Sequence, residues 1–256
     1  MHLGVKSLRL AVRGDDFGLH PACDRVMLRL AEAGQLLNLS VQANGPNLQS
    51  SAPALARLQS NRVCVGLHLT LTCEWITPVL QPIKPLKHLP KLMQGGRLAL
   101  DAQGVLDRQV PDREILAEAD AQLQRVHELG LKPNYADVHM GLHRACPRLH
   151  RTISDWAVDR GLRWIDDLPR LPAQGSSLTN RFDQARARGG ACLLVLHPGG
   201  LPAGSDLVLH ADPNLDVGQE RGAEAALAQA VYAAATQSPS VTLFRLDDMP
   251  QGKGVV

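Results

Sequence analysis

The chain has 256 residues, of which 45% are hydrophobic and 20% charged, with 27 Lys+Arg against 25 Asp+Glu and a formal net charge of +2. That length suits one large α/β domain or two small ones, with enough apolar residues for a sizeable core, and a balanced charge without basic-aromatic interleaving argues against a nucleic-acid partner. No apolar run approaches the ~20 residues of a membrane helix, and five scattered cysteines without a CxxC pair argue against a disulfide framework or a structural zinc knuckle.

The opening stretch MHLGVKSLRLAV has no long apolar core and no small-residue cleavage site, so the expected compartment is the reducing cytoplasm. The run at 8–14, LRLAVRG, is the first expected strand, and it ends in Asp15-Asp16. A helix begun by Pro21 follows. Strands are expected at 36–43 and 62–71; several of the expected strands are continuously apolar, as strands covered on both faces tend to be. Residues 73–110, rich in Pro, Lys and Gly, are too long for an ordinary connection and are expected to form an excursion beside a site.

Over 112–130, Ile115, Leu116, Ala119, Leu123, Val126 and Leu129 keep the rhythm of about 3.6 residues of a helix, which Gly130 and Pro133 end. A strand is expected at 135–140 and a helix from Pro147 to Arg160, closed by Gly161. Strands at 162–167 and 191–197 come next, then an irregular stretch at 198–218. An alanine-rich helix over 219–236 and a strand at 241–246 complete the pattern.

This βαβα alternation indicates a parallel sheet with helices outside. About seven strands favour an irregular (β/α) barrel over an open doubly wound sheet. No repeat or linker divides residues 1–256, so a single domain with the 73–110 excursion is expected.

In parallel α/β folds functional residues gather at the C-terminal ends of strands. Asp15-Asp16, His68, Asp137, His139, His143 and His197 all fall at such ends. Each has a plain structural alternative. The aspartates are suited to capping the Pro21 helix, the strand histidines to a satisfied core position, His143 to a turn, and His197 before Pro198-Gly199-Gly200 to closing a strand. Their shared position is the stronger signal. One carboxylate and two imidazoles form a common facial site for a divalent ion with positions left open. A second carboxylate beside it is suited to general-base work, and adjacent acids at an irregular strand end are able to share one cavity.

The blocks VRGDDFGL, VGLHLTLT, ADVHMGLH and LHPGG, in this order over about residues 8 to 200, resemble the YdjC family of carbohydrate deacetylases. The resemblance implies an irregular barrel related to polysaccharide deacetylases, and removal of an N-acetyl group from a sugar. It implies Asp16, His68 and His139 as metal ligands, Asp15 as catalytic base, His197 as proton donor and Arg163 as an arginine orienting the base. One divalent ion is implied, zinc or magnesium, with manganese, cobalt or nickel compatible with the mixed N and O donors. It also implies a small N-acetylated sugar as partner, neither nucleic acid nor membrane, and a homodimer. Two features depart from the family pattern. Arg13-Gly14 stand where NADDFG is usual, which sets Arg13 to act on Asp15 or on substrate, and the DVHMGLH block is leaner in histidine. The alternatives are a metal-dependent hydrolase of another amide or ester, and a sugar-binding barrel without catalysis.

Overall fold

The computed structural model of the protein describes residues 7–59, 61–172, 177–201 and 206–250. Residues 1–6 of the opening stretch and 202–205 of the irregular stretch lie outside the described residues. The strands are β1 (Leu8–Phe17), β2 (Asn38–Val41), β3 (Cys64–Leu69), β4 (Trp75–Thr77), β5 (Tyr135–Val138), β6 (Arg163–Trp164), β7 (Ala191–Leu196), β8 (Val208–Leu209) and β9 (Val241–Leu243). The helices are α1 (Pro21–Glu32), α2 (Leu48–Gln59), α3 (Ala102–Asp107), α4 (Asp112–Glu128), α5 (Pro147–Asp159), α6 (Leu178–Arg188) and α7 (Val217–Thr236).

The main sheet runs β6-β5-β3-β2-β1-β7, with β9 also on β1, and every pairing in it is parallel. β9 pairs with Leu8–Leu10 and β2 takes over at Arg13, so the two share one edge of β1 while β7 holds the other. The seven strands expected from the apolar runs are thus all present, curled into an irregular (β/α) half-barrel. No helix among the described residues is long and apolar enough to cross a membrane. The five cysteines are free.

Alternation along the strands sorts the side chains into two layers. Leu10 and Val12 join the large core between sheet and helices. Ala11, Cys64, Tyr135 and Leu193 point the other way and form a smaller core inside the curl, with Ile165 and Phe244. Following the inner rows toward the strand ends, Ala11 leads to Arg13 and Asp15, Cys64 to Gly66 and His68, Tyr135 to Asp137 and His139, and Leu193 to Val195 and His197. β2 contributes Asn38 and Ser40 on this parity, with Gln42 just beyond. The inside of the curl is therefore apolar at one end and densely polar at the other.

The excursion is built rather than loose. Its β4 pairs antiparallel with β8 in a separate two-stranded ribbon, and it includes α3. Helix α4 holds it through buried acids on successive turns. Glu118 accepts from the backbone N–H groups of Ile83 and Lys84, and Glu114 from those of Lys91 and Leu92. One turn further, Gln122 bonds both backbone groups of Thr70. These three polar positions lie on an α4 face that the apolar stripe does not announce.

Candidate metal centre and active site

β1 explains how adjacent carboxylates come to share a cavity. Gly14 pairs with Leu39 and Phe17 with Val41, so three steps on β1 match two on β2. The extra residue makes a bulge at Asp15-Asp16, a device that re-aims side chains. Asp16 sits at φ 66°, a left-handed conformation that Asp tolerates better than most residues. Both carboxylates therefore line one cavity of about 510 Å³, together with His68, His139 and His197. The cap of α1 is His20, whose Nδ1 accepts from the Ala22 N–H at 3.1 Å, so the aspartates are not serving that helix.

Three atoms converge. His68 Nε2 and His139 Nδ1 are 3.1 Å apart, and each lies 3.4 Å from Asp16 Oδ1. Such edges match neighbouring ligands around a small divalent ion with bonds of about 2.0–2.2 Å. The opposite nitrogen of each ring faces a carboxylate: His68 Nδ1 meets Asp137, and His139 Nε2 lies 2.9 Å from Glu74 Oε2. Burial pulls both imidazoles toward the neutral form. Asp137 and Asp15 outweigh it at His68, raising its pKa well above the usual range, and Glu74 with Asp16 raise His139 to about 9. The acids around these rings favour added positive charge, and the donor set fits a divalent cation.

Asp16 is fixed at both oxygens. Arg221 of α7 donates from Nη2 to Oδ2 at 2.6 Å, and Gln42 donates to Oδ1 at 3.0 Å. Burial pushes the Asp16 carboxyl up, but Arg221, His139 and His68 overcome this and hold it well below the carboxylate range. Asp15 is gripped by Arg13, which is 2% exposed. His197 presents Nδ1 to Glu224 Oε2 at 3.3 Å, and its backbone N–H also donates to Glu224. Burial lowers the His197 pKa, and the Glu224 hydrogen bond together with the charges of Asp16 and Asp15 more than reverses that.

The structure does not bring Arg163 to this cavity. It lies in β6 beside Tyr135, on the side of the sheet where strands begin, and its Nε donates to the Met249 carbonyl at 2.7 Å. The arginine against Asp15 is Arg13, two residues away on the same face of β1. His143 is buried in the cavity wall, with Nδ1 3.5 Å from Asp166 Oδ2 and its ring edge-on to Trp164 at 5.2 Å. Burial lowers its pKa to about 4.

Glu74, Arg221 and Glu224 were missed by sequence reasoning. Glu74 lies in the excursion, and the other two lie one turn apart on an alanine-rich helix, with no local pattern to mark them. Asn38, Ser40 and Gln42, polar at every second position of an otherwise apolar strand, did carry a signal.

Residues 9–198 match the family described as YdjC-like protein. A carbohydrate deacetylase from Mus musculus is 30% identical over 196 residues, covering 72% of this chain and 57% of that protein. A carbohydrate deacetylase from Enterococcus faecalis is 25% identical over 139 residues, covering 54% of this chain and 51% of that protein. The matches thus span about half the length of these curated relatives. An Enterococcus faecalis crystal structure whose name refers to cellobiose-phosphate cleavage shares the fold, with a TM-score of 0.76 at 18% identity, covering 94% of this chain and 98% of that one.

Proposed function

The chain belongs to the family of YdjC-like proteins, and from that membership we propose that it is a metal-dependent carbohydrate deacetylase, hydrolysing the N-acetyl group of a sugar or oligosaccharide. The observation that carries this reading is the meeting of Asp16 Oδ1, His68 Nε2 and His139 Nδ1 beside a second, separately held carboxylate in one cavity.

In this reading Asp16, His68 and His139 hold the ion. When bound there, a divalent cation supplies Lewis acidity, which polarises a carbonyl and acidifies water. Asp15 takes the proton of the attacking water, its carboxylate held in plane by Arg13. The water oxygen adds to the acyl carbon, and the C–N bond then breaks. His197, whose Nδ1 is paired with Glu224, delivers a proton to the departing nitrogen, leaving acetate and an amino sugar. Arg221 and Gln42 keep Asp16 turned toward the two imidazoles. Zinc is the first ion to try, because two imidazoles and a carboxylate suit it, with magnesium, which favours the carboxylate and water, tried beside it.

The test is acetate release from a panel of N-acetylated mono- and oligosaccharides, with added divalent metal and again with chelator. Chelator-sensitive release is expected. Release that persists after complete metal removal would overturn the metal dependence. Absence of release from every sugar, with release from simple amides or esters, would overturn the carbohydrate assignment.

A further inference from the structure

We propose that Glu74, carried by the excursion, is the positioning carboxylate of His139, so that each imidazole of the site has its own: Asp137 for His68 and Glu74 for His139. The proposal rests on the metal-dependent reading above and adds to it a residue outside the strand-end motifs.

Both Glu74 oxygens reach His139 Nε2, at 3.0 and 2.9 Å. A carboxylate has only acceptors to offer, so the nitrogen facing it holds the proton. In the neutral ring that a metal would require, this leaves the lone pair of His139 on Nδ1, the atom that faces Asp16 Oδ1 and His68 Nε2. Asp137 does the same at His68 Nδ1 and directs the lone pair to Nε2. A carboxylate behind a ligating imidazole fixes its tautomer and orientation and strengthens it as a donor.

The two carboxylates are held differently. Asp137 is part of β5, fully buried, and braced by Ser40 and by Arg13 at 3.3 Å. Glu74 immediately precedes β4, and its side chain is 12% exposed. Its backbone carbonyl accepts from the His210 N–H at 2.8 Å, and the next residue, Trp75, pairs with Leu209 of β8. The neighbouring Cys73 N–H donates to the Ala99 carbonyl at 2.8 Å. The placement of Glu74, and through it the aim of His139, therefore depends on the excursion and the β4–β8 ribbon. The excursion thus completes the metal site as well as walling the cavity.

The experiment is calorimetric titration of zinc into the chelator-stripped full chain, comparing wild type, Glu74→Gln and Glu74→Asp, with melting temperatures of the metal-free proteins. Glu74→Gln is expected to weaken zinc binding about 10–100-fold, the usual cost of losing such a partner, without lowering the metal-free melting temperature. Glu74→Asp, which keeps the charge on a shorter stem, is expected to fall between the two. Imidazole ¹⁵N spectra of the metal-free wild type are expected to show His139 protonated at Nε2, and of the zinc-loaded protein to keep that proton. Zinc affinity unchanged in Glu74→Gln, or a His139 proton on Nδ1 alone, would overturn the proposal. So would a lowered melting temperature or raised KM with zinc affinity intact, since that marks a merely structural contact. A wild type that neither takes up zinc nor releases acetate would instead overturn the underlying metal-dependent reading.

Discussion

Arg13 grips Asp15 with two parallel hydrogen bonds, Nε to Oδ1 at 2.5 Å and Nη2 to Oδ2 at 2.6 Å. The same guanidinium lies 3.3 Å from Asp137 and 3.5 Å from Asp166, so one buried cation serves three buried carboxylates. A lysine keeps the charge but not the fork. Arg13→Lys is expected to fold and to lose about 10²-fold in acetate release, because Asp15 is no longer held in register. Arg13→Gln leaves the acids without their counter-ion and is expected to lose about 3–5 kcal/mol of stability. Urea denaturation beside the acetate assay separates the two effects.

Asp15→Asn keeps an acceptor for Arg13 but removes the base. Acetate release is expected to fall about 10²–10⁴-fold, the contribution of a positioned general base. Zinc uptake by the same variant is expected to match wild type, because Asp16, His68 and His139 remain. Turnover near the wild-type level would remove Asp15 from the role of base.

Glu224 raises the pKa of His197 against the effect of burial. Removing its charge in Glu224→Gln lowers that pKa, so the protonated imidazole is lost at lower pH. If His197 is the proton donor, the basic limb of the pH–rate profile moves toward lower pH. A limb that stays in place would assign the donor elsewhere.

His143 is buried and its pKa is lowered to about 4 from 6.5. Above pH 6.5 it is neutral in both the folded and unfolded chain. Between 6.5 and 4 the unfolded chain binds a proton that the folded chain does not, so stability falls as pH falls. The loss reaches at most about 3 kcal/mol. His143→Phe, which keeps a ring against Trp164, is expected to flatten this part of the stability curve. Chemical denaturation of both proteins at pH 7 and pH 4.5 measures the difference.

Gly66, two residues before His68, lies beneath the ring of Tyr135. A Cβ there would stand 2.0 Å from Tyr135 Cε2, and Tyr135 is fully buried. Gly66→Ala is expected to cost about 1–3 kcal/mol or more, since an overpacked core has to shift. The melting temperature reports it. An unchanged value would mean that the ring has room to move.

Seven strands and the helices α1, α4, α5 and α7 were legible because apolar runs and helical stripes are local patterns, each carried by neighbouring residues, whereas α2 and α6 were not expected. Asp15, Asp16, His68, His139 and His197 could be singled out for a related reason. A parallel sheet brings its strand ends to one side, so residues at the ends of successive apolar runs meet. The short β4–β8 ribbon left no such trace, because two- and three-residue strands have too few positions to show a period.

The sequence by itself determined which residue types stand at the strand ends, and the alternation that puts Arg13, Gly66, His68 and Asp137 on the inner face. Only the tertiary structure decided the rest. The bulge that turns Asp16 into the same cavity as Asp15 comes from the register between β1 and β2. Arg13 rather than Arg163 serves Asp15, because β6 carries Arg163 at the opposite end of the sheet. Glu74, Arg221 and Glu224 arrive from an excursion and a C-terminal helix, far along the chain from the side chains they hold. Spacing along a chain reports contacts that one strand or helix makes with its neighbours, whereas the partners of a buried charge are set by which distant segments the core brings together.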